Sequence, residues 1–174
     1  MKKILVIGYV WPEPNSSAAG SHMLSILRLY KQQDWQVEFA TPSQPTEHMI
    51  DLANEGISSQ SITLNCDSFD TYITDYQPDI VMFDRFMMEE QFGWRVEKNC
   101  PNALKILDTE DLQCLRHARH QAHKAERELT QEDLFSDIAK REIAAILRSD
   151  ISLIISSYEM ELLVNTFNVD ASLL

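Results

Sequence analysis

The sequence predicts a three-layer α/β fold built on a doubly wound parallel sheet, and three observations lead there. Short apolar runs ending in Gly or Asp alternate with segments whose apolar residues recur at helical spacing. Two of those runs, Ile4–Ile7 and Ile80–Phe83, are apolar throughout, as strands covered by helices on both faces must be. The 174 residues, 44% hydrophobic and 24% charged, suffice for one core, so residues 1–174 are expected to form a single domain.

Each element follows in turn. Ile4–Ile7 ends at Gly8 and reads as a central strand. Beyond the polar, proline-containing loop from Trp11 to Ser17, residues Met23, Ile26, Leu27 and Tyr30 lie on one helical face. Val37–Ala40 reads as a strand, Glu47–Asn54 as a short helix and Ile62–Leu64 as a strand nearer one edge, since Glu38 and Thr63 interrupt their apolar patterns. Asp67–Tyr76 is a helix that stops before Gln77-Pro78, because proline disfavours helical geometry in its predecessor. Ile80–Phe83 ends at Asp84, Phe86–Lys98 is helical, and Ala103–Leu107 is a strand ending at Asp108. The charged stretch from Asp108 to Ser149 makes two helices broken near Thr130, where Thr130 and Asp133 supply a cap. The second helix directs Phe135, Ile138, Ala139, Ile143, Ile146 and Leu147 to the core; strand Ser152–Ile155 and a helix from Tyr158 complete the pattern.

Six strands joined by helices require crossover connections, which are right-handed in nearly all proteins. A Rossmann-like order 3-2-1-4-5-6 puts the two most apolar strands together at the centre, where the order reverses and ligands bind. Function is therefore expected above Gly8 and Asp84.

Composition and missing motifs narrow the chemistry. A formal net charge of −12 without a basic stripe argues against nucleic acid. Apolar runs fall far short of the ~20 residues that span a bilayer, so no membrane span is expected, although peripheral membrane contact stays open. Cys66, Cys100 and Cys114 lack CxxC spacing and read as reduced thiols in a cytoplasmic protein. Gly8-Tyr9-Val10-Trp11-Pro12 lacks the further glycines of a dinucleotide loop, no GxxxxGK[ST] occurs, and the acidic cluster of a receiver domain is absent. A flavin- or nucleotide-carrying role would need the phosphate loop that is missing.

Three segments carry a resemblance spanning essentially the whole chain. Trp11-Pro12-Glu13-Pro14-Asn15-Ser16-Ser17-Ala18-Ala19-Gly20 is a proline-containing loop ending in small residues at the first helix. Ile106-Leu107-Asp108-Thr109-Glu110-Asp111-Leu112 is a D-T-x-D-L segment followed by Arg116 and Arg119, and Ser156-Ser157-Tyr158-Glu159 is an S-x-x-E helix opening. Together they resemble the N-terminal domain of a retaining glycosyltransferase with the GT-B fold, of the kind called family four-like. Gln113 stands where that family often has His, and Asn15-Ser16-Ser17 replaces its paired glycines.

The resemblance implies an acceptor-side domain that helps to transfer a sugar from a nucleoside-diphosphate sugar to an acceptor hydroxyl. It implies no other cofactor and no metal. The donor would be held by a C-terminal domain that does not follow within this sequence, so a partner domain or chain is expected, and the fragment alone is expected to be inactive. The implied substrate contacts are Asn15, Ser16, Ala19 and Gly20 towards the donor and His22, Asp84, Asp108, Asp111 and Glu159 towards a sugar or glycan acceptor; catalytic residues are not identified.

Each residue also has a plainer role. Gly20 can serve helix packing, Asp84 can pair with Arg85, Asp108 and Asp111 can cap a helix, His22 can be a solvated surface group, and S-x-x-E is also a capping box. His117, His120 and His123 invite a metal, but positions three apart drift around a helix. Phe86, Met87, Met88, Phe92 and Trp94 are read as helix core rather than an exposed patch. A non-catalytic binding or assembly module of the same fold is the alternative function.

Overall fold

The computed structural model describes residues 1–174. Its sheet comprises β1 (Lys3–Ile7), β2 (Gln36–Thr41), β3 (Ser58–Ser61), β4 (Ile80–Asp84), β5 (Leu104–Asp108) and β6 (Ile151–Leu153). All neighbours pair in parallel, in the order 3-2-1-4-5-6 expected from the sequence. The helices are α1 (Ala18–Gln32), α2 (Ser68–Tyr76), α3 (Phe86–Asn99), α4 (Gln113–Lys124), α5 (Asp137–Arg148) and α6 (Ser157–Asn165).

Side-chain alternation along the strands divides the core in two. Ile4, Val6, Val37, Phe39, Ile80 and Met82 face α1, whereas Leu5, Ile7, Val81, Phe83 and Leu107 face α2 to α6. The runs that fixed β1 and β4 as central are fully enclosed, and they lie side by side in register, Ile4 opposite Ile80 and Ile7 opposite Phe83. Gly8 follows β1, and a Cβ there would meet the Phe39 ring at 2.1 Å. The first strand thus ends where an aromatic ring needs the space, at the mouth of the switch point.

Several expectations are corrected. The third strand is Ser58–Ser61, not Ile62–Leu64; all four of its residues are exposed, and Ile57 and Ile62 anchor its two ends in the core. The segment Glu47–Asn54 is not an α-helix: only a 3-10 turn, Leu52–Glu55, forms there, capped by Asp51. The preceding loop instead covers Trp11, whose Nε1 donates to the Ser43 carbonyl at 3.0 Å. Thr130 and Asp133 do form a capping box, but on the 3-10 turn Gln131–Leu134, and α5 is capped separately by Ser136. The buried face of α5 runs through Ala139, Glu142, Ala145 and Ile146, leaving Phe135 and Leu147 exposed; Phe135 packs on Phe167 at 5.5 Å between ring centres. The last strand is Ile151–Leu153, and Trp94 lies outside the core that holds Phe86, Met88 and Phe92.

Candidate functional site

The carboxyl ends of β1, β4 and β5 lie side by side at one end of the sheet. Asp84 and Asp108 are the last residues of adjacent strands and are paired in register, so two enclosed carboxylates stand side by side. Asp84 Oδ2 accepts a hydrogen bond from the Tyr9 backbone N–H at 3.0 Å, which ties the end of β4 to the residue after Gly8. Burial pushes the Asp84 carboxyl up to about 6, against the pull of the Arg85 guanidinium.

Asp108 uses both oxygens. Oδ1 accepts from the Glu110 N–H at 3.1 Å, and Oδ2 lies 3.1 Å from His22 Nε2. An ionised carboxylate can only accept, so Nε2 is the donor and Nδ1 is left as the remaining hydrogen-bonding atom of a half-exposed imidazole. Both Asp108 oxygens are therefore engaged by neighbouring groups. Arg85, half-enclosed, stacks over the Tyr9 ring at 5.1 Å and sits between Asp84 at 3.5 Å and Glu110 at 3.8 Å. Its Nε has no hydrogen-bond partner. Arg85 has φ +70° and Glu110 φ +59°, so the turns leaving β4 and β5 both hold non-glycine residues in the left-handed region.

The D-T-x-D-L segment is pinned from behind. No side chain within α4 caps its N-terminus; the two oxygens of Glu142, from α5, accept from the Gln113 and Cys114 N–H groups at 2.9 and 2.8 Å. Glu159 makes only half a capping box. Its own N–H donates to Ser156 Oγ at 3.2 Å, but its carboxylate reaches across to the Leu112 N–H at 3.3 Å, with Oε2 buried and unpartnered. Burial raises both glutamates, and the donated N–H groups and the positive end of the α4 dipole hold them back. Asp111 is engaged by Gln113 Nε2 at 2.6 Å and by Arg116 at 2.6 Å.

On the β1 side, Ser17 caps α1 by accepting from the Gly20 N–H at 3.0 Å. A Cβ on Gly20 would meet the Glu13 backbone at 2.5 Å, so this glycine lets the loop close onto its own helix. Asn15 and Ser16 are exposed, Ser16 Oγ is bonded to Glu13 at 2.6 Å, and Ala19 is half-buried. The N–H groups of Ala18 and Ala19, ahead of any intrahelical acceptor, remain as the donors of the helix start. His22, one turn further, links this loop to the carboxylates.

The structure thus brings together His22, Asp84 and Asp108, engages Asp111 and Glu159 at the start of α4 instead, and places Asn15, Ser16, Ala19 and Gly20 at the start of α1. Sequence reasoning missed Tyr9, Glu110 and Glu142 as parts of the site. Glu142 had a signal: it falls between Ala139 and Ile146 on the buried face, where a charge needs a partner. No group of three or more His, Cys, Asp or Glu side chains is placed to hold a metal ion.

No family model and no curated protein matches the sequence. Among solved structures, sucrose-phosphate synthase from Thermosynechococcus elongatus matches 95% of the chain with a TM-score of 0.62 at 14% identity. The apo form of the lipopolysaccharide outer core galactosyltransferase WaaB matches 98% with a TM-score of 0.59 at 12% identity. The chain has the fold of a GT-B half. It spans 45% and 44% of those two chains, less than half of each. In this GT-B half, the cluster of His22, Asp84 and Asp108 lies at the strand ends beside the switch point. No helix is long and apolar enough to cross a membrane.

Proposed function

We propose that this chain is the N-terminal, acceptor-side domain of a glycosyltransferase that moves a sugar from a nucleoside-diphosphate donor to an acceptor hydroxyl. The observation that carries the reading is the His22, Asp84 and Asp108 cluster at the switch point of a GT-B half. A sugar presents hydroxyls that both donate and accept; a ring nitrogen held by a buried carboxylate, beside a second carboxylate, matches that chemistry. His22 Nδ1 accepts from an acceptor hydroxyl, Asp108 fixes the ring, and Asp84 receives a second hydroxyl. Asp111 and Glu159 hold the segment that forms the acceptor side, while Asn15, Ser16 and the Ala18 and Ala19 N–H groups face the donor diphosphate. Gly20 shapes that loop.

A donor-binding domain or partner chain completes the enzyme, so the isolated chain does not turn over. Retention of configuration rests on the resemblance of the D-T-x-D-L and S-x-x-E segments, and the three free cysteines favour the cytoplasm.

Saturation-transfer NMR of the chain with a panel of methyl glycosides tests the acceptor site. At least one glycoside should bind, with a Kd on the order of millimolar, and His22→Gln should weaken it about tenfold, as loss of one to two hydrogen bonds predicts. Failure of the whole panel to bind would overturn the reading. Transfer from a nucleotide sugar should then appear only when a donor-binding domain is added.

A second reading, a non-catalytic assembly module, is favoured by one observation. On the α1 side of the sheet Leu104, Ile151 and Leu153 stay exposed over β5 and β6, with Ile155 beyond them. Stable self-association in sedimentation velocity, together with no glycoside binding, would select it.

A further inference from the structure

We propose that the groove between α3, α4 and α5 binds the anionic group of the acceptor, a phosphate ester carried on a partly apolar molecule. This deepens the acceptor-side reading and rests on it. The groove encloses about 460 Å³ and is lined by Phe86, Met87 and Ile138 on one hand and by Arg116, His117, His120 and Arg141 on the other.

The placement follows from helical spacing. Gln113, Arg116, His117 and His120 stand at i, i+3, i+4 and i+7, one face of α4, and that face looks across to the start of α3 and to Arg141 on α5. His123, a turn further along α4, does not line the groove, and no group of side chains there is placed to hold a metal ion.

Two arginines and two histidines converge here although the chain carries a formal net charge of −12. Arg116 gives Nε and Nη2 to Asp111, and Arg141 gives the same two nitrogens to Glu90, so each guanidinium keeps Nη1 for another acceptor. Neither His117 nor His120 enters an ion pair. An oxyanion with several acceptor oxygens suits such a set of separate donors, and the Phe86 ring, already under the Arg141 guanidinium at 5.1 Å, offers an apolar floor.

A run of ion pairs leads from the groove to the strand ends. Arg116 reaches Asp111 at 2.6 Å and Glu110 at 3.9 Å, and Glu110 meets Arg85, the residue after Asp84. An acceptor anchored by its phosphate would thus lead its remaining portion towards His22 and Asp84.

Phenyl phosphate is the probe, with uncharged phenyl glucoside as its control. The five histidines give separate imidazole Cε1–H signals in heteronuclear NMR. Phenyl phosphate should move the His117 and His120 signals first, phenyl glucoside should leave them in place, and His117→Gln/His120→Gln should weaken phenyl phosphate binding about tenfold with an unchanged circular dichroism spectrum. Equal effects of the two ligands, first movement at His22, His48 or His123, or binding to phosphatidylglycerol vesicles without binding to phenyl phosphate would each overturn the proposal. Phenyl phosphate binding in the groove, with no sugar transfer once a donor-binding domain is supplied, keeps the groove and removes the transferase reading. Transfer without phenyl phosphate binding removes the groove alone.

Discussion

Asp84 carries a charge that folding discourages. Its ordinary value of 3.8 is pushed up to about 6 by burial, so between those pH values the folded chain keeps a proton that the unfolded chain has released. Raising the pH through that window therefore removes stability, by up to about 3 kcal/mol for this one group. Asp84→Asn should flatten the dependence: in urea titrations, the loss of unfolding free energy between pH 4 and pH 7 should shrink relative to the parent protein. An identical pH dependence in both would show that Asp84 is not the titrating group. Gly20 gives a second test, in which two effects oppose. Alanine normally stabilises a helix by about 1 kcal/mol over glycine. Here its Cβ would sit 2.5 Å from the Glu13 backbone, which cannot rotate aside as a side chain can. Gly20→Ala should therefore destabilise, by about 1–3 kcal/mol in chemical denaturation, and a gain in stability would refute the packing argument.

The α4 helix starts without a cap of its own, and Glu142 supplies one from the neighbouring helix. Glu142→Ala should cost about 2–4 kcal/mol, since two N–H groups lose a charged acceptor, and Glu142→Gln should cost roughly half as much by keeping one amide oxygen. Denaturant midpoints of the two variants check both the size and the ratio. This element also shows how far sequence reaches. The strand order was readable because β1 and β4 must be apolar on both faces, and the site carboxylates were readable because each closes such a strand. A polar edge strand gives no comparable signal. The Ser58–Ser61 ladder is made of backbone groups indifferent to side-chain polarity, and the hydropathy that drew attention to Ile62 reflects the anchor at its end. Of the predicted α5 stripe, Ile138, Ala139, Ile143 and Ile146 do pack on the core and only Phe135 and Leu147 are exposed, while the partners of the buried Glu142 lie 28 and 29 residues earlier and could be identified only once α4 was placed.

At the scale of the whole molecule, burial raises Asp84, Glu142 and Glu159, whereas hydrogen bonds and ion pairs lower Glu13, Glu55, Glu90, Asp133, Asp137 and Asp170. Stability is lost as pH rises through the first set and as it falls through the second, and with the self-repulsion of a chain of net charge −12 this predicts greatest stability on the acid side of neutrality. Thermal unfolding across pH 4.5–8 should place the highest Tm at about pH 5–6, and a maximum above pH 7 would contradict this account. The same charge bears on the bare apolar stretch over β5 and β6, where Leu104, Ile151 and Leu153 meet water. Greasy surface beside a three-residue border strand invites chains to stick to one another, and mutual repulsion among like-charged copies opposes it. Concentrated salt should remove that protection: light scattering from the purified chain should rise as the Debye length falls from ~10 Å at 0.1 M to ~3 Å at 1 M. Handling this protein then becomes a matter of ionic strength, with dilute buffers keeping in solution what brine would bring down.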